Sequence, residues 1–115
     1  MSSYGGFVFV FPQYNWGYPA PLKNALDFLY AEWDGKPVTY VTYGTRGGNR
    51  GARQIREVLA GLHMRELDDH LEVVIRLDDV DEDWQLKDLG STLRPYVEQA
   101  RTIDVQMVDA LKRAP

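Results

Sequence analysis

Five consecutive apolar residues, Phe7, Val8, Phe9, Val10 and Phe11, constrain this chain more than any other stretch. The run is far too short to span a membrane as a helix, and its aromatic and β-branched residues favour extended backbone. It predicts a strand buried on both faces, as in a parallel sheet. An irregular loop follows, Pro12 to Tyr18, carrying Tyr14, Asn15, Trp16 and Gly17. A helix is then expected to open at Pro19 or Ala20, where a proline in the first turn loses no needed hydrogen bond. Strand, aromatic loop and helix in that order put the loop at the carboxyl end of a strand, where open α/β sheets bind ligands.

The same order recurs. Leu22, Leu26, Leu29 and Trp33, with Ala25 alongside, form one apolar stripe at helical spacing, so the first helix is expected to run to Asp34-Gly35-Lys36-Pro37. Lys23 and Asp27 lie four apart and can pair on its other side. Val38 to Tyr43 reads as a second strand, followed by the glycine-rich loop Gly44 to Gly51 and a helix presenting Ile55, Val58, Leu59 and Leu62. Leu71 to Leu77 predicts a third strand with Leu71, Val73, Ile75 and Leu77 on one face. Glu72 and Arg76 on the other face suit an edge. An acidic connection, Asp78 to Asp83, leads to one long helix from about Ser91, periodic at Leu93, Tyr96, Val97, Ala100, Ile103, Met107, Val108 and Leu111. Pro95 lies near enough to its start to be tolerated. The pattern β-α-β-α-β-α implies right-handed crossovers and a parallel sheet, an α/β fold.

Composition sets the bounds. A chain of 115 residues is expected to form one domain, residues 1–115. The net charge of −4 argues against nucleic acid as a partner, because phosphate binding needs a basic surface. With no cysteine there is no disulfide, thiol nucleophile or thiolate metal site. No apolar run is long enough for a signal peptide core or a membrane span.

Few residues offer chemistry of their own. The Pro12–Tyr18 loop could form a flat apolar slot, and glycine in the second loop lets backbone amides approach a ligand. Gly44-x-x-Gly47-Gly48-x-x-Gly51 is neither G-x-G-x-x-G nor a P-loop. Arg46, Arg50 and Arg53 could meet a phosphate, against the commoner reading of solvated arginines at a helix opening. His63 and His70 are too isolated for a metal site or proton relay, and read as surface or cap residues. Asp78 to Asp83 lacks the glycine and terminal glutamate of a calcium loop and reads as solvated.

Pro12-Gln13-Tyr14-Asn15, followed by Pro21-Leu22-Lys23-Asn24-Ala25-Leu26-Asp27, resembles the signature of the NADPH-dependent FMN reductase family. With Trp16-Gly17-Tyr18-Pro19 between them, the segment is most similar to the fungal quinone reductases and related azo- and chromate-reducing flavoproteins. The resemblance implies a flavodoxin-like three-layer sandwich, here truncated to a parallel sheet of three strands, each followed by a helix. It implies FMN together with NADPH or NADH, and hydride transfer to flavin, quinones or similar small acceptors in the cytoplasm. The flavin-binding residues it implies are Pro12, Gln13, Tyr14, Asn15 and Trp16 from the first loop, and Gly44, Thr45, Arg46 and Gly47 from the second. No side chain acts as acid or base and no metal is required, because the cofactor carries the chemistry.

Family members open with a strand and a phosphate-binding loop, and the six residues before Phe7 cannot supply them. The expectation is therefore that Phe7–Phe11 becomes a bare edge that pairs with its own copy, giving a homodimer or higher homo-oligomer. The alternative function is a cofactor-free, truncated family member, acting as a non-redox enzyme or an oligomerising interaction subunit.

Overall fold

The computed structural model describes residues 5–14 and 16–113. Four parallel strands form its sheet: β1 (Phe7–Pro12), β2 (Pro37–Gly44), β3 (Arg65–Glu66) and β4 (Leu71–Val74). β2 is central. It takes β1 along one side in the register Phe7 to Val38 through Pro12 to Tyr43. Along its other side β3 pairs with its start and β4 with its end.

The expected third strand, Leu71 to Leu77, is thus shortened to β4, and an additional short strand, β3, precedes it with no helix between them. The interruption has a local cause. Asp69 turns its amide to Gln106 Oε1 (3.1 Å) and its carbonyl to Thr39 Oγ1 (2.7 Å), so it leaves the ladder. After Val74 the chain makes one more bond to β2, Ile75 N to Gly44 O at 2.8 Å, and then enters a 3-10 turn at Leu77–Asp79. Leu77 is exposed there rather than lying on an apolar strand face.

Parallel neighbours in register share a face of the sheet. Phe7, Phe9 and Phe11 therefore line up with Val38, Tyr40 and Thr42. This face is closed by α1 (Ala20–Phe28), α2 (Asn49–Gly61) and Trp33, with Leu26, Ile55 and Leu59 fully buried. The Trp33 ring meets Phe7 and Phe9 edge-on at 4.9 and 6.0 Å.

Trp33 also explains why α1 ends at Phe28 and not at Asp34. Its indole Nε1 donates to Leu26 O at 3.1 Å, filling an acceptor that a continuing helix would use, and the chain folds back through a turn at residues 30–35. Lys23 and Asp27 pair on the outer side of α1 at 2.7 Å, as their spacing predicts.

The opposite face is covered only in part. α4 (Val97–Lys112) packs over β2 with Ile103 buried, and Met107 lies beside Gly6. Val8 and Val10 on that face of β1 are 53% and 66% exposed, which corrects the expectation of a strand buried on both faces. No described element crosses that part of the sheet. The long final helix is also divided, into α3 (Leu89–Leu93), a 3-10 turn at Arg94–Tyr96 and α4. Pro95 has no N–H to continue the ladder, so it breaks the helix instead of being absorbed. Val97, Val108 and Leu111 on α4 stay exposed.

Candidate functional site

Two loops meet at the carboxyl ends of β1 and β2. In the first, Tyr14 and Gly17 exchange both backbone hydrogen bonds (2.8 and 2.9 Å), closing a two-residue turn in which Trp16 takes φ +70°. The turn pushes the indole outward, 68% exposed. Asn15, the other turn residue, lies outside the described residues.

Two glutamines clasp this loop to α2. Gln13 Oε1 accepts from the amides of Arg50 (2.8 Å) and Gly51 (3.0 Å), capping the start of α2 from 37 and 38 residues away in sequence. Gln54 Oε1 accepts from Tyr18 N at 3.0 Å in return. A Cβ on Gly17 would collide with the Gln54 carboxamide.

The second loop is shaped by its own packing. Gly47 and Gly48 have φ near +74° and +72°. A Cβ on Gly47 would come within 3.1 Å of Glu72, and one on Gly48 within 2.7 Å of Thr42 Cβ. Thr42 Oγ1 donates to Gly47 O at 2.6 Å and fixes the bend. Glycine is thus needed at both positions before any ligand is considered.

A cleft of about 250 Å³ opens between the loops, lined by Gln13, Trp16, Gly44, Thr45, Arg46, Gly48 and Arg50. Of the residues implied by the sequence, Gln13, Trp16, Gly44, Thr45 and Arg46 come together here. Pro12 ends β1 half-buried, Tyr14 opens the turn with its side chain exposed, and Gly47 is buried under its loop; none of the three lines the cleft. Sequence reasoning left out Gly48 and Gln54, and weighed Arg50 only as a phosphate ligand. Arg50 in fact stacks its guanidinium 3.8 Å from the Trp16 ring centroid, a cation–π contact that fixes one wall. The amides of Thr45 and Arg46 have no hydrogen-bond partner among the described residues, and Arg46, Arg50 and Arg53 form no ion pair among them. The cleft can therefore donate hydrogen bonds and attract negative charge, with one aromatic wall.

Tyr40 lies deeper, under α2. Its hydroxyl donates to Glu66 Oε1 and accepts from Arg56 Nη2 at 3.3 Å. Burial, reinforced by the bond to Glu66, pushes Tyr40 up to about 12. The bond to Tyr40 raises Arg56 further above its already high value. His70 packs against the Tyr40 ring at 4.5 Å and pairs with Glu72 at 2.6 Å, while His63 sits at φ +59° just past the end of α2. No group of three or more potential metal ligands occurs among the described residues. No described helix is long and apolar enough to cross a membrane.

The profile of the family described as NADPH-dependent FMN reductase matches residues 1–75, which include both loops and β1 to β4. The chain belongs to that family. It is 63% identical over 57 residues to an NAD(P)H-dependent FMN reductase of Saccharomyces cerevisiae, covering 50% of this chain and 30% of the relative. It is 62% identical over 60 residues to an NAD(P)H-dependent FMN reductase of Schizosaccharomyces pombe, covering 52% and 30%. The chain thus spans about 30% of the length of the curated relatives it matches. Among solved structures it resembles FerB, a flavoenzyme NAD(P)H:(acceptor) oxidoreductase from Paracoccus denitrificans. The TM-score is 0.72 at 18% identity, over 96% of this chain and 63% of the other. The fold is flavodoxin-like.

Proposed function

We propose that this chain forms the ring-binding part of an NAD(P)H-dependent flavin reductase, with FMN held in the cleft between the two loops. One observation carries the reading: Thr45 and Arg46, whose amides have no partner among the described residues, line one cleft with the Trp16–Arg50 stack at the carboxyl end of the sheet. A flavin needs amides for its pyrimidine edge and a flat wall for its rings, and these residues supply both. FMN held there by Trp16, Thr45 and Arg46 would supply hydride transfer between NADPH or NADH and a small acceptor such as a quinone.

The chain's own residues bind and orient. Trp16 offers its face, Arg46 and Arg50 favour an anionic ligand, and the glutamine clasp holds the first loop against the start of α2. The cleft does not provide a phosphate site from helix amides, because Gln13 already occupies those of Arg50 and Gly51. The residues therefore fit the ring edge of FMN better than its phosphate. A cytoplasmic setting, where both nicotinamide cofactors are at hand, suits this activity.

The test is an FMN titration followed by quenching of flavin fluorescence. Saturable binding that Trp16→Ala weakens about tenfold supports the reading, a loss in keeping with stacking plus a buried contact. A wild-type protein that leaves FMN fluorescence unchanged up to millimolar concentration overturns it.

A second reading has an observation of its own. β1 has no neighbour on its outer side among the described residues, and Val8 and Val10 stand exposed beside that edge. Such an edge invites pairing with a second copy, so a cofactor-free family member that works as a homo-oligomer is the alternative. It gains if FMN fails to bind while light scattering reports a dimer or larger species.

A further inference from the structure

A second cleft lies across Gly44 and Thr45 from the first, and its chemistry is the reverse. It measures about 210 Å³ and is walled by Ile75, Arg76, Leu77, Val80 and Trp84 against Gly44 and Thr45. Ile75 follows β4 as Gly44 closes β2, so this cleft too sits at the carboxyl end of the sheet. The family match ends at residue 75, and most of the wall is built by what comes after it.

That wall is a small, tightly tied hairpin. Val80 bridges Leu86, Asp81 N donates to Gln85 O (2.8 Å) and Lys87 N to Asp79 O (2.9 Å). At its tip the Asp81 carboxylate accepts from the amides of Asp83 (2.8 Å) and Gln85 (3.0 Å). Between these two, Trp84 is held at φ +62°, in the left-handed region that bulky side chains avoid. Its indole is 73% exposed and Leu77 beside it 74%. The hairpin's own hydrogen bonds therefore order the backbone that carries an exposed aromatic ring at the rim of a largely apolar cleft. Arg76 also lines the cleft, and its backbone amide donates to Asp79 Oδ2 at 2.7 Å.

We propose that this cleft binds a flat, uncharged aromatic ring, stacked on Trp84 and seated on Leu77, Val80 and Ile75. The mostly apolar walls favour an uncharged ring, and the indole of Trp84, already among the lining residues, gives it an aromatic face to stack on. The volume lies below the roughly 300–1,000 Å³ of drug-sized sites, which limits the ligand to one or two fused rings. The binding stands on this cleft alone. That such a ring is the acceptor for a flavin in the neighbouring cleft is a further step, and it rests on the function proposed above.

The experiment is a calorimetric titration of the full chain with 2-naphthol, which is uncharged at neutral pH, at several temperatures. The expected result is one site with a negative heat-capacity change, the mark of apolar burial. Trp84→Ala and Leu77→Asp should each weaken binding about tenfold or more, and Trp16→Ala by less than about twofold. Both residues of the proposed site are largely exposed, so circular dichroism should show the fold intact in each variant. Absence of naphthol binding to the wild type overturns the proposal, as does binding lost with Trp16→Ala or kept in Leu77→Asp. FMN titrated against the same variants separates the two claims: naphthol binding without FMN binding removes the flavin reading and leaves this one standing.

Discussion

Phe9 and Val10 are neighbours in β1, and they meet opposite surroundings. Phe9 turns its ring toward Trp33 in the closed face, while Val10 points from the other face at 66% exposure. Both are strongly apolar, so hydrophobicity did not sort them. What sorted them is whether a layer of helix lies over their side of the sheet. α1, α2 and Trp33 cover most of the first side, leaving Phe7 and Phe9 half-buried and Phe11 buried; α4 covers β2 on the second side and leaves Val8 and Val10 of β1 exposed. Stability therefore belongs mainly to one face, and the other is free to act as a surface.

Three measurements can break or sharpen that contrast. The largest effect is expected from Trp33→Ala, which empties the centre of the closed face and frees Leu26 O. A loss of about 3–5 kcal/mol is expected in urea unfolding. A loss below about 1 kcal/mol would mean the closed face is not where stability resides.

The next effect is a pH dependence from the same face. The folded chain holds Tyr40 protonated up to about 12, above the ordinary value of 10.0 it takes when unfolded. The unfolded chain thus releases this proton first, so the contribution is intact below about pH 10 and lost as pH rises toward 12. The slope should amount to roughly 2 kcal/mol across that window. Tyr40→Phe removes the ionising group, and a variant with the same alkaline slope as the wild type would show that Tyr40 does not cause it.

The smallest effect on folding is expected on the open face. Val8→Lys combined with Val10→Lys should change monomer stability by less than about 0.5 kcal/mol. The same pair should abolish any self-association that runs through β1, read as a fall in mass by light scattering. A stability loss comparable to that of Trp33→Ala would instead mean that this face is covered in solution by something inside the same chain.

Much of the fold was legible because it follows from short-range patterns. The stripe Leu22, Leu26 and the run Ile55, Val58, Leu59 announce helices through a 3.6-residue period, and Val38 to Tyr43 announces a strand through β-branched and aromatic content. Boundaries were less legible where a distant group intervened. α1 stops at Phe28 because an indole seven residues from Leu26 takes its carbonyl, and β3 separates from β4 because Asp69 bonds to Thr39 and Gln106. Pro95 was visible, yet its effect depended on whether the helix on either side had reason to stay straight.

The candidate site divides in the same way. Trp16, Gly44, Thr45 and Arg46 were readable as a strand-end ligand loop and the loop beside it. Gln13 was readable only as part of a motif; that its carboxamide spends its acceptor on the start of α2 was not. Gln54, Arg50 as a stacking partner, and the Trp84 cleft left no local signal at all.

The sequence by itself determined the family, through motif residues that keep their order from Pro12 to Asp27, and the alternation of strand, loop and helix that makes the sheet parallel. Those are properties of residues near one another along the chain. Only the tertiary structure decided which face of β1 is closed, what Gln13 holds, and that an apolar cleft faces the glycine loop from the far side. Each of these depends on contacts between residues well separated along the chain, from Phe9 and Trp33 on the closed face to Gln13 and Gly51 across the loops. Periodicity tells a side chain which way to point, and the covering layer alone decides what it meets.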